Sequence, residues 1–152
     1  SMTTIGIACD HGGVDLKDAI KQHFTDLSFL DLGTNGPDSV HYPEFADALC
    51  QAILNGTIDT GVLICGTGIG ISMRANRHLG IRAAVVASPF MAEMCKAHNN
   101  ANVLCLGGRT TSLEDALNYI TIWQQTAFEG GRHQTRVDML DAPLVKTSES
   151  ND

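Results

Sequence analysis

Gly61-Val62-Leu63-Ile64-Cys65-Gly66-Thr67-Gly68-Ile69-Gly70 is the stretch that decides the fold, because an apolar run leads directly into a glycine-rich loop. The run is short and uninterrupted, which is typical of a strand buried on both faces of a parallel sheet. The glycines after it expose consecutive backbone N–H groups, and we expect a helix to start near Ile71. This strand, loop and helix form the unit from which α/β domains are built.

Apolar runs alternate with amphipathic stretches on both sides of this segment. The pattern predicts strands over residues 4–9, 29–32, 61–65, 82–87 and 103–106. It predicts helices over residues 14–24, 42–54, 89–98, 112–128 and 133–140, besides the helix that starts near 71. We therefore predict a single three-layer α/β/α domain over residues 3–140, with a five-stranded parallel sheet between its helices. Residues 141–152 are polar and aperiodic, which predicts a flexible C-terminal tail.

The composition limits the class of protein and of ligand. The chain has 152 residues and a formal net charge of -7, which argues against nucleic acid or an anionic membrane as its partner. Its five cysteines are odd in number and include no C-x-x-C pair, so we expect reduced thiols. The chain shows neither a signal peptide nor an apolar run of about 18 residues, which favours the cytoplasm. The expected ligand is a small molecule.

The glycine-rich loop does not match the common nucleotide-binding motifs. Ile71 occupies the third glycine position of the dinucleotide pattern, and no Gly-Lys-Ser/Thr follows for a P-loop. What remains is a small anion-binding loop with a thiol at Cys65 and a hydroxyl at Thr67, although tight backbone packing would explain the glycines equally well. A thiol at the positive end of a helix favours its thiolate, which takes and returns a proton. These residues suit enolisation of a hydroxyaldehyde, with backbone N–H groups of residues 66–70 stabilising the enediolate.

Two histidine-containing pairs are candidate partners of this loop. Asp10-His11 follows the first predicted strand, and residues after parallel strands meet at one sheet edge. His98-Asn99 ends the helix after the fourth strand, and we expect it to turn back toward the same edge. A lone histidine is usually structural or solvated, but two pairs on strand-end connections favour a functional role.

Two arginines near the end of the chain are candidate phosphate ligands. Arg132 and Arg136 lie four residues apart at a helix start, so that both guanidinium groups project from one face. A solvated basic face is the alternative interpretation. No metal is predicted, because the histidines lack i,i+4 partners and no acidic cluster completes a site.

Taken in order along the chain, these segments resemble the type B ribose-5-phosphate isomerases of the ribose/galactose-6-phosphate isomerase family. The resemblance covers residues 4 to 140 and is carried by Cys9-Asp10-His11, Tyr42-Pro43, Cys65 to Ser72, Ala75-Asn76, Gly80-Ile81-Arg82-Ala83, His98-Asn99, Asn102-Val103, Gly131-Arg132-His133 and Arg136. It implies a Rossmann-like domain that interconverts ribose 5-phosphate and ribulose 5-phosphate through an enediolate, with neither metal nor cofactor. It also implies a homodimer or tetramer with active sites between subunits.

The resemblance assigns a role to each matching residue. Cys65 corresponds to the base that moves the proton, and the loop residues Gly66, Gly68, Ile69 and Gly70 to the enediolate-binding anion hole. His98, aided by Thr67 and Asp10, corresponds to the group that opens the furanose ring. The phosphate ligands correspond to His11, Arg132 and Arg136, and the pocket lining to Tyr42, Asn99 and Arg109.

Two departures from the family pattern leave alternatives open. His41 stands where relatives commonly carry Asp, and Arg74 where they carry a small residue, so either change would retune the pocket. A six-carbon aldose 6-phosphate of the allose or galactose type is therefore an alternative substrate. A hydrolase with a Cys65 nucleophile and a His98 base is a second alternative, and a non-catalytic sugar-phosphate-binding regulator is a third.

Overall fold

The computed structural model describes residues 3–145 and shows one α/β domain. Its strands are β1 (Thr3–Cys9), β2 (Leu27–Asp31), β3 (Gly61–Cys65), β4 (Ala83–Val85) and β5 (Val103–Gly107). Its helices are α1 (Val14–His23), α2 (Tyr42–Leu54), α3 (Ile69–Ala75), α4 (Pro89–Ala97), α5 (Leu113–Gln125) and α6 (Arg132–Asp141). All strand pairs are parallel, in the order β2-β1-β3-β5-β4. The predicted five-stranded parallel sheet is confirmed.

Two core clusters lie on the two faces of this sheet, because successive side chains of a buried strand point to opposite sides. Ile64 and Leu106 belong to the cluster that includes Trp123 of α5. Leu63 and Cys105 belong to the cluster that includes Leu49 of α2. Helices therefore cover both faces, as an all-parallel sheet requires.

The predicted boundaries of four elements were wrong by a few residues. β2 starts at Leu27 rather than residue 29, and α3 starts at Ile69 rather than near 71. β4 is shortened to Ala83–Val85 because the N–H of Arg82 donates to the Asn102 side chain. α5 ends at Gln125 rather than residue 128, since the following segment extends toward α4, where the Glu129 N–H donates to the Ala97 carbonyl.

The end of the chain is partly described. Asp141, the first residue of the predicted tail, is the last residue of α6, and its carboxylate contacts the Arg82 guanidinium at 2.8 Å. Residues 146–152, which make up most of that tail, lie outside the described residues. Among residues 3–145, no helix is both long and apolar enough to cross a membrane.

A buried ion pair ties α1 to the end of β2. The Lys17 side chain is fully buried, and its ammonium donates to both oxygens of the Asp31 carboxylate at 2.8 Å. Lys21 also donates to Asp31, at 2.7 Å. Burial alone raises the pKa of Asp31, but hydrogen bonds from the two lysines outweigh burial and lower it.

Replacing Asp31 with asparagine is expected to lower the free energy of unfolding by about 3–5 kcal/mol near neutral pH, because Lys17 would then be a buried charge without its anion. A carboxyl with a lowered folded pKa stabilises above its unfolded pKa, near 3.8, and loses that contribution as pH falls through the folded value. The difference in the free energy of unfolding between wild type and Asp31→Asn should therefore become smaller below pH 3.8. Urea unfolding at a series of pH values measures this difference in the free energy of unfolding. Asp26→Asn, at an exposed position, is the control. A deficit independent of pH would contradict the ionic origin.

Candidate active site

The topology creates a crevice between β1 and β3. These strands are neighbours, yet the chain leaves β1 for β2 on one side and reaches β5 and β4 on the other. In open α/β sheets, ligands bind at such a switch point, outside the carboxyl ends of the strands. A cleft of about 290 Å³ lies here, lined by Asp10, His11, Gly12, Tyr42, Cys65, Gly66, Thr67, Gly70 and Arg109.

Cys65 is the last residue of β3 and lies at the base of this cleft with 5% of its surface exposed. Its Sγ accepts a hydrogen bond from the Gly68 N–H at 3.2 Å. The Ile69 N–H donates to the Thr67 hydroxyl, also at 3.2 Å. A backbone donor directed at the sulfur stabilises negative charge there, as the chemistry expected of this thiol requires.

The other four cysteines behave as small core residues, as predicted. Burial raises the pKa of Cys9 and of Cys50 to about 12, and that of Cys95 to about 11. Burial likewise raises the pKa of Cys105. These thiols stay protonated at neutral pH, which leaves Cys65 as the cysteine placed for proton transfer.

His11 and Asp10 are held in place by backbone N–H groups. The Asp10 carboxylate accepts from the Gly12 N–H at 2.9 Å, which closes the turn that follows β1. The Nδ1 of His11 accepts from the Val40 N–H at 3.2 Å. A neutral His11 must therefore carry its proton on Nε2, which makes that nitrogen a donor for a ligand oxygen.

Tyr42 and Arg109 complete the wall of the cleft. A Cβ at Gly70 would come within 2.7 Å of Cζ of the Tyr42 ring, so the ring lies against the first turn of α3. The Arg109 N–H donates to the Gly66 carbonyl at 3.0 Å, which fixes the loop after β5 against the Cys65 loop. Both residues line the cleft, and the family resemblance assigns them to the pocket lining.

The two departures from the family pattern lie outside this wall. The Arg74 guanidinium donates to both oxygens of the Asp47 carboxylate, at 2.8 and 2.9 Å, and so joins α3 to α2. His41 is the residue that precedes α2. Neither side chain lines the cleft, so within one chain neither retunes it by direct contact.

His98 does not lie at the Cys65 edge, so its predicted position was wrong for a single chain. α4 runs back along the sheet for nine residues, about 14 Å, from the carboxyl end of β4 to the amino end of β5. His98 follows α4 directly, and nearby Asn102 accepts from the N–H of Gly61, the first residue of β3. Its ring stacks on His133 with centroids 4.1 Å apart.

The remaining predicted residues accompany His98 at this opposite end. Arg132 and Arg136 are exposed on α6, whose last residue, Asp141, binds Arg82 at the amino end of β4. Asn99 lines a separate cavity of about 310 Å³ beside Arg82. The structure thus divides the predicted site residues into a Cys65 group and a His98 group.

Two residues that belong to these groups were not predicted from the sequence. Val40 orients His11 through its backbone N–H, and no sequence signal identifies such a contact. His133 packs against His98, and burial, followed by the charges of His98 and Arg132, lowers its pKa. Glu129 lies four residues before His133, but Gly130 and Gly131 interrupt the helical pattern between them, so the spacing alone does not signal this contact.

Replacing Gly68 with alanine is expected to cost about 2–4 kcal/mol of stability and at least about 10-fold in kcat. Gly68 has φ +80°, and an added Cβ would lie 3.0–3.2 Å from backbone atoms of Leu106 in the interior strand β5. The loop must then move and carry the Gly68 N–H away from Cys65. Gly56→Ala is a matched control, because φ is +84° but the space is open, so only the conformational cost of about 1–2 kcal/mol applies. Equal losses for both variants would contradict the role of the loop contact.

The fold and the cleft together define a doubly wound α/β protein whose ligand cleft places a cysteine at the edge of the sheet. The model of the Ribose/Galactose Isomerase family matches residues 5–140. The chain belongs to this family of sugar isomerases.

Individual relatives are similar to this chain in sequence and structure over nearly its full length. Ribose-5-phosphate isomerase B of Escherichia coli K12 is 41% identical over 143 residues, which cover 93% of this chain and 96% of that protein. The structure of Clostridium thermocellum ribose-5-phosphate isomerase B is similar with a TM-score of 0.89 and 44% identity, over 91% of this chain and 95% of that one. Mycoplasma genitalium ribose-5-phosphate isomerase B, solved with bound ribulose-5-phosphate, has a TM-score of 0.87 and 39% identity, over 93% and 96% of the two chains.

Proposed function

We propose that this chain interconverts ribose 5-phosphate and ribulose 5-phosphate. The observation that carries the proposal is the Cys65 sulfur, which lies in the switch-point cleft and accepts the Gly68 N–H. The names of the similar proteins support the substrate, and the ribulose-5-phosphate bound to the Mycoplasma genitalium relative supports the product. Residues 3–140 are the isomerase domain in this proposal. The five free thiols among the described residues support a reducing cytoplasm as its compartment.

The proposed chemistry is a proton transfer between two neighbouring carbons. The Cys65 thiolate takes the proton from C2 of the open-chain aldose, and the electron pair moves through the new C1–C2 double bond onto the C1 oxygen. The thiol exchanges its proton with solvent, and delivery of a proton from the thiol to C1, with transfer of one proton from the C2 oxygen to the C1 oxygen, yields the ketose. Backbone N–H groups of the 66–70 loop stabilise the enediolate oxygens between these steps.

The active site of this proposal is shared between two copies of the chain. One chain keeps the Cys65 group and the His98 group at opposite ends of its sheet, so a second copy must supply His98, Asn99, Arg132 and Arg136. The apolar side chains beside the cleft favour this arrangement: Ile69 and Met73, one turn apart on α3, are 50% and 65% exposed. A face of this kind is covered in a homodimer. The cleft would then combine base, ring-opening histidine and phosphate ligands.

The net charge makes the placement of the arginines important. A phosphorylated sugar carries about two negative charges, and the chain itself carries -7, so the global field opposes binding. His11 offers an Nε2 donor in the cleft, while Arg132 and Arg136 are exposed and project from one face of α6. Two guanidinium groups from a second copy would add to the positive charge of Arg109, which lines the cleft of one chain.

An isomerase assay in heavy water tests the proposal. Purified protein is incubated with ribose 5-phosphate in D₂O with EDTA present, and the ketose is followed by colour reaction and by NMR. We expect turnover that is insensitive to EDTA and deuterium at C1 of the ketose. Parallel assays with allose 6-phosphate and galactose 6-phosphate test the pentose preference. Absence of turnover on ribose 5-phosphate, or a higher kcat/KM on a six-carbon substrate, would contradict the proposed substrate.

A further inference from the structure

A cluster of three metal-ligating side chains lies at the end of α4 and the start of α6. It consists of His98, Glu129 and His133, whose ligand atoms all lie within 4.8 Å of one another. The Nε2 atoms of His98 and His133 both face one oxygen of Glu129, at 3.7 and 3.5 Å. Both distances are too long for strong hydrogen bonds. We propose that this cluster is an inhibitory site for Zn²⁺ or a similar transition-metal ion.

Two of the three separations are close to those of a tetrahedral ion, and all three ligand atoms lie within 4.8 Å of one another. Zinc binds histidine nitrogen and carboxylate oxygen at about 2.0–2.2 Å, so two ligands of a tetrahedral site are about 3.3–3.5 Å apart. The two nitrogen-to-oxygen distances exceed that range by no more than about 0.2 Å. The two histidine rings are stacked with an angle of 10° between their planes, so coordination of one ion requires one ring to rotate out of the stack. The His98 side chain is 38% exposed, which leaves it room for that rotation.

The chemistry of the three residues also suits such an ion. Two imidazoles and one carboxylate form a mixed nitrogen and oxygen set, which zinc accepts readily and magnesium or calcium does not. His133 is nearly buried, with 8% of its side chain exposed, and its Nε2 lies 3.5 Å from the Glu129 carboxylate. Glu129 offsets the ion's charge, whereas the neighbouring Arg132 opposes it. With three protein ligands and an open fourth position, binding should be reversible and weaker than at a closed structural zinc site.

Metal binding here would disable the proposed ring-opening step. An ion that occupies Nε2 of His98 removes that nitrogen from proton transfer. The inhibition therefore rests on the proposed function, whereas the binding itself does not. Isomerisation needs no metal in the proposed mechanism, so the ion acts only as an inhibitor.

Titration with the metal alone tests the site. Calorimetry with ZnCl₂, in buffer without thiols or phosphate, compares wild type with Glu129→Gln and with Glu93→Gln, a control at an exposed glutamate of α4. We expect one ion per chain for wild type and Glu93→Gln, and at least about tenfold weaker binding for Glu129→Gln. Co²⁺ spectra should lack the charge-transfer band of a cysteine ligand. Equal affinities of Glu129→Gln and wild type, or a sulfur-to-cobalt band, would overturn the site.

Activity measurements then separate the two proposals. Zn²⁺ should inhibit wild type reversibly, and Glu129→Gln should need at least about tenfold more metal for the same fractional inhibition, each protein being compared with its own metal-free rate. Zinc binding without inhibition would overturn the inhibitory role and count against the assignment of His98. An enzyme that is inactive on ribose 5-phosphate but binds zinc through Glu129 would refute the proposed function and leave the metal site standing.

Discussion

Replacing Cys65 with alanine is expected to reduce kcat for ribose 5-phosphate by about 10²–10⁴-fold, the range supplied by a positioned acid–base group. The methyl group cannot accept the proton from C2, while the loop donors and phosphate ligands remain. KM should therefore change much less than kcat. Deuterium exchange into recovered substrate should fall in parallel, because the lost step is proton abstraction. Coupled spectrophotometry and NMR of the recovered sugar measure the two effects.

Cys50→Ala is the matched control for this variant. Cys50 is also buried, but it lies within α2 and faces the Ala75 carbonyl rather than the cleft. Its replacement should cost stability without a comparable loss of kcat. Retention of full activity by Cys65→Ala, or equal losses in the two variants, would show that Cys65 is not the base.

Mixing two inactive variants is expected to restore activity. One variant is Cys65→Ala, and the other combines Arg132→Ala with Arg136→Ala, for which we expect at least about 100-fold lower kcat/KM through loss of charge-assisted phosphate contacts. In a hybrid dimer with shared sites, one site carries both defects and the other carries neither. Purified hybrids should therefore reach about half the wild-type activity, and a randomly exchanged mixture about a quarter.

Differently tagged chains make the hybrid measurable. Co-expression followed by two affinity steps isolates hybrids, and each parental homodimer purified in the same way is the control. If every active site were built from one chain, the hybrid would contain no intact site and its activity would stay at parental levels. Failure of the chains to associate in solution would reject the shared site altogether.

Much of the fold was predictable because the apolar runs and the glycines that follow them indicate the same elements. β3 is an apolar run followed by glycines, and Gly68 adopts the positive φ that glycine favours, so strand, loop and helix were placed within two residues. Boundaries that depend on distant contacts were predicted less well. β4 is shortened by the contact of Arg82 with Asn102, twenty residues away, and no local pattern reports such a contact.

The Cys65 half of the site was predictable for the same reason. Residues that end β1 and β3 meet at one edge of any parallel sheet in which those strands are neighbours, so Asp10 and Cys65 had to converge. The predicted position of His98 failed because α4 carries the chain to the opposite edge. The metal cluster could not be predicted because Glu129 lies before the first residue of α6. A spacing of four residues brings side chains together only within a helix, so the contact of Glu129 with His133 depends on how the chain folds.

The sequence by itself determined the strand, loop and helix around Cys65 and the buried character of the other cysteines, and it predicts enolisation as the chemistry of the thiol. These depend on contacts between residues close in the chain and on burial of apolar runs. Only the tertiary structure decided that the predicted residues form two groups at opposite ends of one sheet. The physical reason is that a helix of nine residues returning antiparallel to its strand spans about the length of that strand. In the proposed dimer, residues at its far end reach a cleft like that of Cys65 through a second copy of the chain.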